Sequence, residues 1–274
     1  MLEKFTYTNH LNEVVEFGKG SLFVNENDLR DFDWDITSKN DRISGFKKGI
    51  VSKTIPIILK CDSESEGIEL RNRIFEVFEK YVLAKKHGKI HIGDYYLRCY
   101  ITGSKKTQYL INHNYMLVTL TVQTDHPAWV KETTTMHGMV ADTEQDYLDY
   151  SYDFQHDFKN SAIATTIINE YFIPCDFIMT IYGAVVNPTI YIGNHRYFVN
   201  VTVGVDDYLT INSADKTVVL NRADGKKENY FNMRDRDSYI FEKIPSGTSD
   251  VTATNAQFRF DLTLLEERGE PKWT

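Results

Sequence analysis

From Met116 to Val122 every second residue is a large apolar one, Met116, Val118, Leu120 and Val122, with Leu117, Thr119 and Thr121 between them. The same period returns in Phe258, Phe260, Leu262 and Leu264, separated by Arg259, Asp261 and Thr263. A period of two is the signature of a strand with one buried face, and a helix cannot use it. Two further segments read as hairpins. Thr189–Ile192 and Tyr197–Val201 flank Gly193-Asn194, and Thr217–Leu220 leads to Asp224-Gly225. The composition agrees, because 36 of 274 residues (17 Tyr, 16 Phe, 3 Trp) are aromatic and suit a pleated, half-buried surface.

Only one long segment has helical spacing. Leu70, Ile74, Phe78, Tyr81 and Val82 fall on one face, which predicts a helix from about Glu64 to His87. Ser63 and Glu66 have capping-box spacing at its start, and Gly88 is expected to supply the left-handed residue at its end.

Charge divides the chain. Residues 1–135 carry 19 Lys+Arg and 18 Asp+Glu, net +1, so residues 136–274 carry the remaining 12 and 21, net −9. The change falls near Glu132–Gly138, a stretch of weak apolar periodicity. At roughly 100–200 residues per domain, this predicts a first domain over 1–135 of strands with one helix, then a second over 136–274 of short strands, most simply a sandwich.

Apolar runs such as Ile55–Leu59 fall far short of a membrane span, and Met1-Leu2-Glu3-Lys4 begins no signal peptide, so a cytoplasmic site of synthesis without membrane insertion is expected. Cys61, Cys99 and Cys175 are odd in number and sit in apolar stretches, which predicts buried thiols and not a disulfide framework or zinc cluster.

Chemistry-bearing motifs are sparse. His87 and His91 have an H-x3-H spacing, but Gly88 stands between them and no other ligand accompanies them, so they read as structural or solvated. The run Asp142, Glu144, Asp146, Asp149, Asp153, Asp157 opens like a calcium loop. Tyr147 replaces the turn glycine and Asp153 the bidentate glutamate, so it reads as a wet-faced extended segment. Hydrolase-type carboxylate pairs are unspecific among 39 acidic residues. No serine elbow, zinc-protease, phosphate-loop or dinucleotide motif occurs. Lys47-Lys48, Lys85-Lys86, Lys105-Lys106 and Lys226-Lys227 are isolated pairs in a chain of net −8, unlike the concentrated basic face of a nucleic-acid binder. Tyr191, Tyr197, Tyr230 and Tyr239 could stack on sugar, although tyrosines of a β domain more commonly pack within the sheet. No catalytic, cofactor-binding or metal-binding residue is assigned, and no interface residue.

Four stretches carry a family likeness: Phe5–Asn9 with Glu16-Phe17-Gly18; Ile43–Gly49; the helix followed by Gly88–Tyr100 and then Thr124–Trp129; and Ile244–Gly247 with the terminal Glu266-Glu267-Arg268-Gly269-Glu270-Pro271-Lys272-Trp273-Thr274. The chain resembles the distal tail proteins (Dit) of long-tailed phages and prophages of Gram-positive bacteria, with the Arg-x-Glu-Pro-x-Trp end the most specific feature. The resemblance implies a split-barrel-like N-terminal β domain with one α-helix that closes a homohexameric ring, followed by a galectin-like β-sandwich. It implies a virion component without enzymatic activity or cofactor, assembled in the host cytoplasm. Its partners would be further copies of itself, the tail tube protein, and a tail-associated fibre or lysin, with DNA passing through the ring unbound. The chain has no room for the carbohydrate-binding insertions of some members. A module recognising host surface saccharide is the alternative, although His195-Arg196 with a distant Asn does not reproduce a galectin-type sugar cluster.

Overall fold

The computed structural model describes residues 4–108, 115–138, 165–254 and 258–273. Among them are 21 strands and one α-helix, so the protein is mainly antiparallel β. The chain forms two compact units, Met1–Lys131 with Glu267–Thr274, and Glu132–Glu266. It passes from one to the other inside two strands.

Unit 1 contains β1 (Phe5–Thr8), β2 (Val14–Phe17), β3 (Leu22–Val24), β4 (Asp35–Lys39), β5 (Arg42–Lys47), β6 (Val51–Lys60), α1 (Glu64–Ala84), β7 (Gly88–Ile92), β8 (Tyr95–Gln108), β9 (Tyr115–Thr124) and the start of β10 (Trp129–Gly138). The first half of β8 pairs with β7, which continues to β1 and β2, while Trp129–Lys131 of β10 pairs on its other side. Its second half, from Tyr100 onward, pairs with β9, which continues to β6 and β3. Alternation decides which faces turn inward: Met116, Val118, Leu120 and Val122 of β9 are all buried, as are Ile55, Ile57 and Leu59 of β6. Helix α1 adds Ile74, Val77, Phe78 and Tyr81 to the same core.

The helix starts as expected. Ser63 Oγ accepts from the Glu66 amide at 3.2 Å, and Glu66 Oε2 accepts from the Asp62 amide at 3.2 Å, one residue earlier than in the standard box. It ends three residues early, at Ala84, with Lys85 in the left-handed region at φ 52°. Gly88 therefore does not end it. That glycine opens β7 outside the left-handed region, and a Cβ there would lie 2.8 Å from the Tyr7 hydroxyl, so it is required by the ring packed over it.

Unit 2 contains the rest of β10, then β11 (Thr166–Asn169), β12 (Asp176–Tyr182), β13 (Val185–Val186), β14 (Thr189–Ile192), β15 (His195–Phe198), β16 (Thr202–Val203), β17 (Tyr208–Asn212), β18 (Thr217–Asn221), β19 (Lys227–Asn229), β20 (Gly247–Thr254) and β21 (Arg259–Arg268), which crosses back at its end. One sheet runs β19-β18-β17-β12-β21-β10 and the other β11-β20-β14-β15. Phe177, Met179, Leu209, Leu220, Phe260 and Leu262 from the first enclose one core with Ile167, Ile190, Ile192, Tyr197 and Val251 from the second. Two sheets around one core make the sandwich. Both hairpins read from sequence form, with Gly193 at φ +56° and Gly225 at φ +85°.

The sequence reading gives 136–274 wholly to the second half, but Glu267–Thr274 is part of unit 1. The physical reason is a set of contacts to the loop before β4. Arg30 Nη1 donates to the Pro271 carbonyl at 3.0 Å and its guanidinium lies 3.9 Å above the Trp273 ring, while Gly269 lies under Phe32 so closely that a Cβ would come within 3.1 Å of that ring.

Candidate assembly interface

The feature of unit 1 that core formation leaves unexplained is the β4–β5 hairpin. Asn40 and Asp41, at φ 52° and 57°, make the two-residue turn in which both central residues are left-handed, the turn whose twist matches paired strands. Ile36 faces Phe46 and Ser38 faces Ile43 across the ladder, with a bulge at Ser44 between them. Cross-strand partners share a face, and alternate residues along a strand share one too. Trp34, Ile36, Ile43 and Phe46 consequently line one side, and Asp35, Thr37, Lys39, Arg42 and Lys47 the other.

Such a pattern normally places the apolar side on a core. Here it meets none, since Ile36, Ile43 and Phe46 are 60–61% exposed and Trp34 49%. Trp34, just before β4, and Phe46 meet edge to face at 6.3 Å. A contiguous exposed apolar patch of this kind marks an interaction surface.

The base of the hairpin is held firmly. Lys48 donates to the Pro127 carbonyl at 3.3 Å and its ammonium sits 4.6 Å over the Trp34 ring; burial draws its pKa down, against the Glu267 carboxylate, which draws it up. Lys53 is the one cation in the inward row of β6. Its buried ammonium donates to the carbonyls of Asp28 (2.7 Å) and Asp31 (2.5 Å), and desolvation lowers its pKa despite the Asp28, Asp31 and Asp33 carboxylates nearby. Asp28 in turn accepts from the Thr54 amide at 2.6 Å, and Trp129 Nε1 donates to the Leu29 carbonyl at 3.3 Å. His126 Nε2 and Glu267 Oε1 meet at 2.7 Å, fixing the terminal segment beside Pro127. A rigid base below an unsupported apolar blade can present that blade to another molecule with little ordering cost.

The residues singled out by sequence do not converge on a site. His87 is exposed beyond α1, and His91 is half-buried on β7 with its ring 5.9 Å from Tyr96. Tyr197 is in the core and donates to the Glu242 carbonyl at 2.8 Å, so it presents no face to a sugar. Tyr191 and Tyr230 are half-buried, and Tyr239 alone of the four is exposed. Arg196 pairs with Asp235, and His195 Nε2 meets the Tyr239 carbonyl at 2.9 Å. The three cysteines are buried and unpaired with one another, as expected. The acidic run 142–157 lies outside the described residues. Among the described residues, no three His, Cys, Asp or Glu side chains gather as a metal site, and no helix is long and apolar enough to cross a membrane. The sequence reading missed this hairpin, whose signal is Asn40-Asp41 between Trp34-x-Ile36 and Ile43-x-x-Phe46, a two-residue-turn pattern that the bulge disguises.

No protein-family model and no curated protein matches the sequence. Solved structures do. A chain of the phage P2 baseplate in its activated conformation with Ca is similar over 99% of this chain and 100% of its own, at TM-score 0.63 and 13% identity. The strontium form gives 0.62 and 13% over 98% and 99%. The SPP1 Dit protein, described as a paradigm of the hub adsorption apparatus in phages infecting Gram-positive bacteria, gives 0.58 and 11% over 96% and 99%. This chain has the Dit fold. In the Dit fold as this sequence builds it, the helix and β1–β9 complete one unit and the sandwich the other, and the Arg268–Trp273 string has a structural task. Arg268 lies 5.8 Å from the Tyr95 ring, Gly269 admits Phe32, and Pro271 and Trp273 hold Arg30.

Proposed function

We propose that the chain is a non-enzymatic structural protein of a long, non-contractile phage tail: the hub that joins the tail tube to the tip or baseplate. The likeness to SPP1 Dit and to the P2 baseplate chain, spanning nearly the full length of both partners in each comparison, carries this reading. On it, unit 1 closes a homohexameric ring around a central channel, unit 2 is the galectin-like peripheral sandwich, the tail tube protein docks on one face and a tail-associated fibre or lysin on the other. Ring closure requires one surface to meet a different surface of the next copy, and the exposed face of the β4–β5 hairpin is available for that role. The net charge of −8 suits a conduit through which DNA slides without being held. The protein is assembled in the host cytoplasm and resides in the virion.

Light scattering coupled to size-exclusion chromatography, with negative-stain images of the same peak, tests the reading. A mass of six chains and six-fold rings with an open centre are expected. A monomer at every concentration, alone and with tail tube protein added, overturns it.

A further inference from the structure

Among the described residues, three buried side-chain polar atoms have no hydrogen-bond partner: the hydroxyls of Tyr7 and Tyr81, and Nδ1 of His10. They converge on one place. Tyr7 stands on β1, His10 in the turn that leads to β2, and Tyr81 in the last turn of α1. The Tyr7 and Tyr81 rings meet edge to face at 5.5 Å, and the His10 ring meets Tyr81 at 5.2 Å. Both tyrosines are fully buried and His10 is half-buried. Protein interiors pair nearly all such groups, with protein atoms or with ordered water, so three orphans at one point indicate a shared partner. The turn is built to hold His10 there. The buried Asn9 Oδ1 accepts from the Leu11 amide at 2.9 Å and the Glu13 amide at 2.8 Å, while Asn9 Nδ2 donates to Glu13 Oε2. Glu13 Oε1 in turn pairs with Lys80 Nζ at 2.8 Å, tying the turn to α1 one residue before Tyr81.

We propose that Tyr7, Tyr81 and His10 form a binding site for a single internal water molecule, which accepts from the two hydroxyls and donates to His10 Nδ1. The chemistry of the three atoms selects that ligand. Burial raises the pKa of both phenols, Tyr81 to about 12, so each keeps the proton it donates. The phenols are close enough to act on one another, Tyr81 raising the pKa of Tyr7 and Tyr7 lowering that of Tyr81, but the geometry between them makes no hydrogen bond. A polar pair spaced in this way takes a bridging molecule. Two donors and one acceptor match a water, since internal waters make about three hydrogen bonds. A cation does not fit, because neither tyrosine brings a negative charge to offset it and Glu13 is paired with Lys80 and Asn9. The water joins the end of α1 to the strand and turn beside it, within unit 1, and its site does not depend on how copies of the chain assemble.

The test is Tyr7→Phe and Tyr81→Phe in the full chain, singly and together, with crystal structures of the parent and the double variant. Phenylalanine keeps each ring and deletes only the hydroxyl. The parent should show a water within hydrogen-bond distance of all three atoms, and the double variant should not. In urea unfolding each single variant should lower the folding equilibrium constant about two- to tenfold. The double variant should lose less than the product of the two, because the first substitution already loosens the shared water. No water, or one that misses any of the three atoms, overturns the site, as does a direct bond between the two hydroxyls. Single variants as stable as the parent, or more stable, also overturn it, because deleting an unpaired buried hydroxyl removes a penalty whereas deleting a bridged one removes a bond. Independent losses in the double variant would show that the hydroxyls share no partner and would overturn it as well.

Discussion

Arg30 and Trp273 stack with the guanidinium 3.9 Å from the ring centroid, tying the loop before the hairpin to a segment more than 240 positions later in the sequence. Because Trp273 is 74% exposed, the contact belongs to the weak class of cation–π pairs, about 0.5–1 kcal/mol. Trp273→Ala should lower unfolding free energy by about that amount. Its clearer effect should be faster hydrogen exchange at the Leu29 and Asp31 amides, which are bonded only within the loop, to Asn27 Oδ1 and the Asp28 carbonyl. Unchanged exchange there would show that the Trp273 ring takes no part in holding the loop.

Lys53 is the firmer attachment of that loop. Lys53→Met keeps the stem and deletes the donor to the Asp28 and Asp31 carbonyls. Losing hydrogen bonds made by a charged donor costs about 1.5–3 kcal/mol. Urea unfolding should show the loss as a lower midpoint at constant slope; a neutral or stabilised variant would mean that apolar packing replaces the ammonium without penalty.

At Gly88 the constraint is steric. A Cβ would sit 2.8–2.9 Å from three atoms of the fully buried Tyr7 side chain, and overpacking of this kind costs about 1–3 kcal/mol. Gly88→Ala should therefore be destabilising, and Gly88→Ala combined with Tyr7→Leu should recover part of the loss. Additive costs in that double-mutant cycle would show that the two residues do not press on one another.

Alkaline pH should weaken unit 2 through Cys175. Burial pushes its thiol from 9.0 up to about 11, with the Glu266 and Asp176 carboxylates adding to the shift. A folded pKa above the unfolded one stabilises fully below pH 9 and is lost as pH rises from 9 to 11, an amount of about 2–3 kcal/mol at 1.36 kcal/mol per pH unit. Cys175→Ala should flatten the stability profile across that window relative to the parent. Parallel profiles would place the alkaline sensitivity elsewhere.

The parts of this architecture legible in sequence are those set by periodicity. The buried row of β9, the row from Phe258 to Leu264, the cap at Ser63 and the turns at Gly193 and Gly225 all follow from local spacing that tertiary packing does not override. Gly88 misled because glycine after a helix has two uses, a left-handed backbone or an absent Cβ, and only the position of Tyr7 distinguishes them. The β4–β5 hairpin was harder, since the extra residue at Ser44 breaks the alternation by which strands are recognised. The candidate interface was not legible at all: exposed Ile36 and Phe46 look the same in sequence as the buried Ile55 and Ile57 of β6.

Because the polypeptide leaves unit 1 after Lys131 and returns at Glu267, unit 2 is topologically an insert. On the ribosome, all 135 residues from Glu132 to Glu266 must be made before the strap that clasps Arg30 emerges. The loop beneath the apolar blade thus stays unclasped during most of translation, and a nascent chain is kept from presenting a fully braced hairpin to its neighbours on the same message until its sandwich has been synthesised.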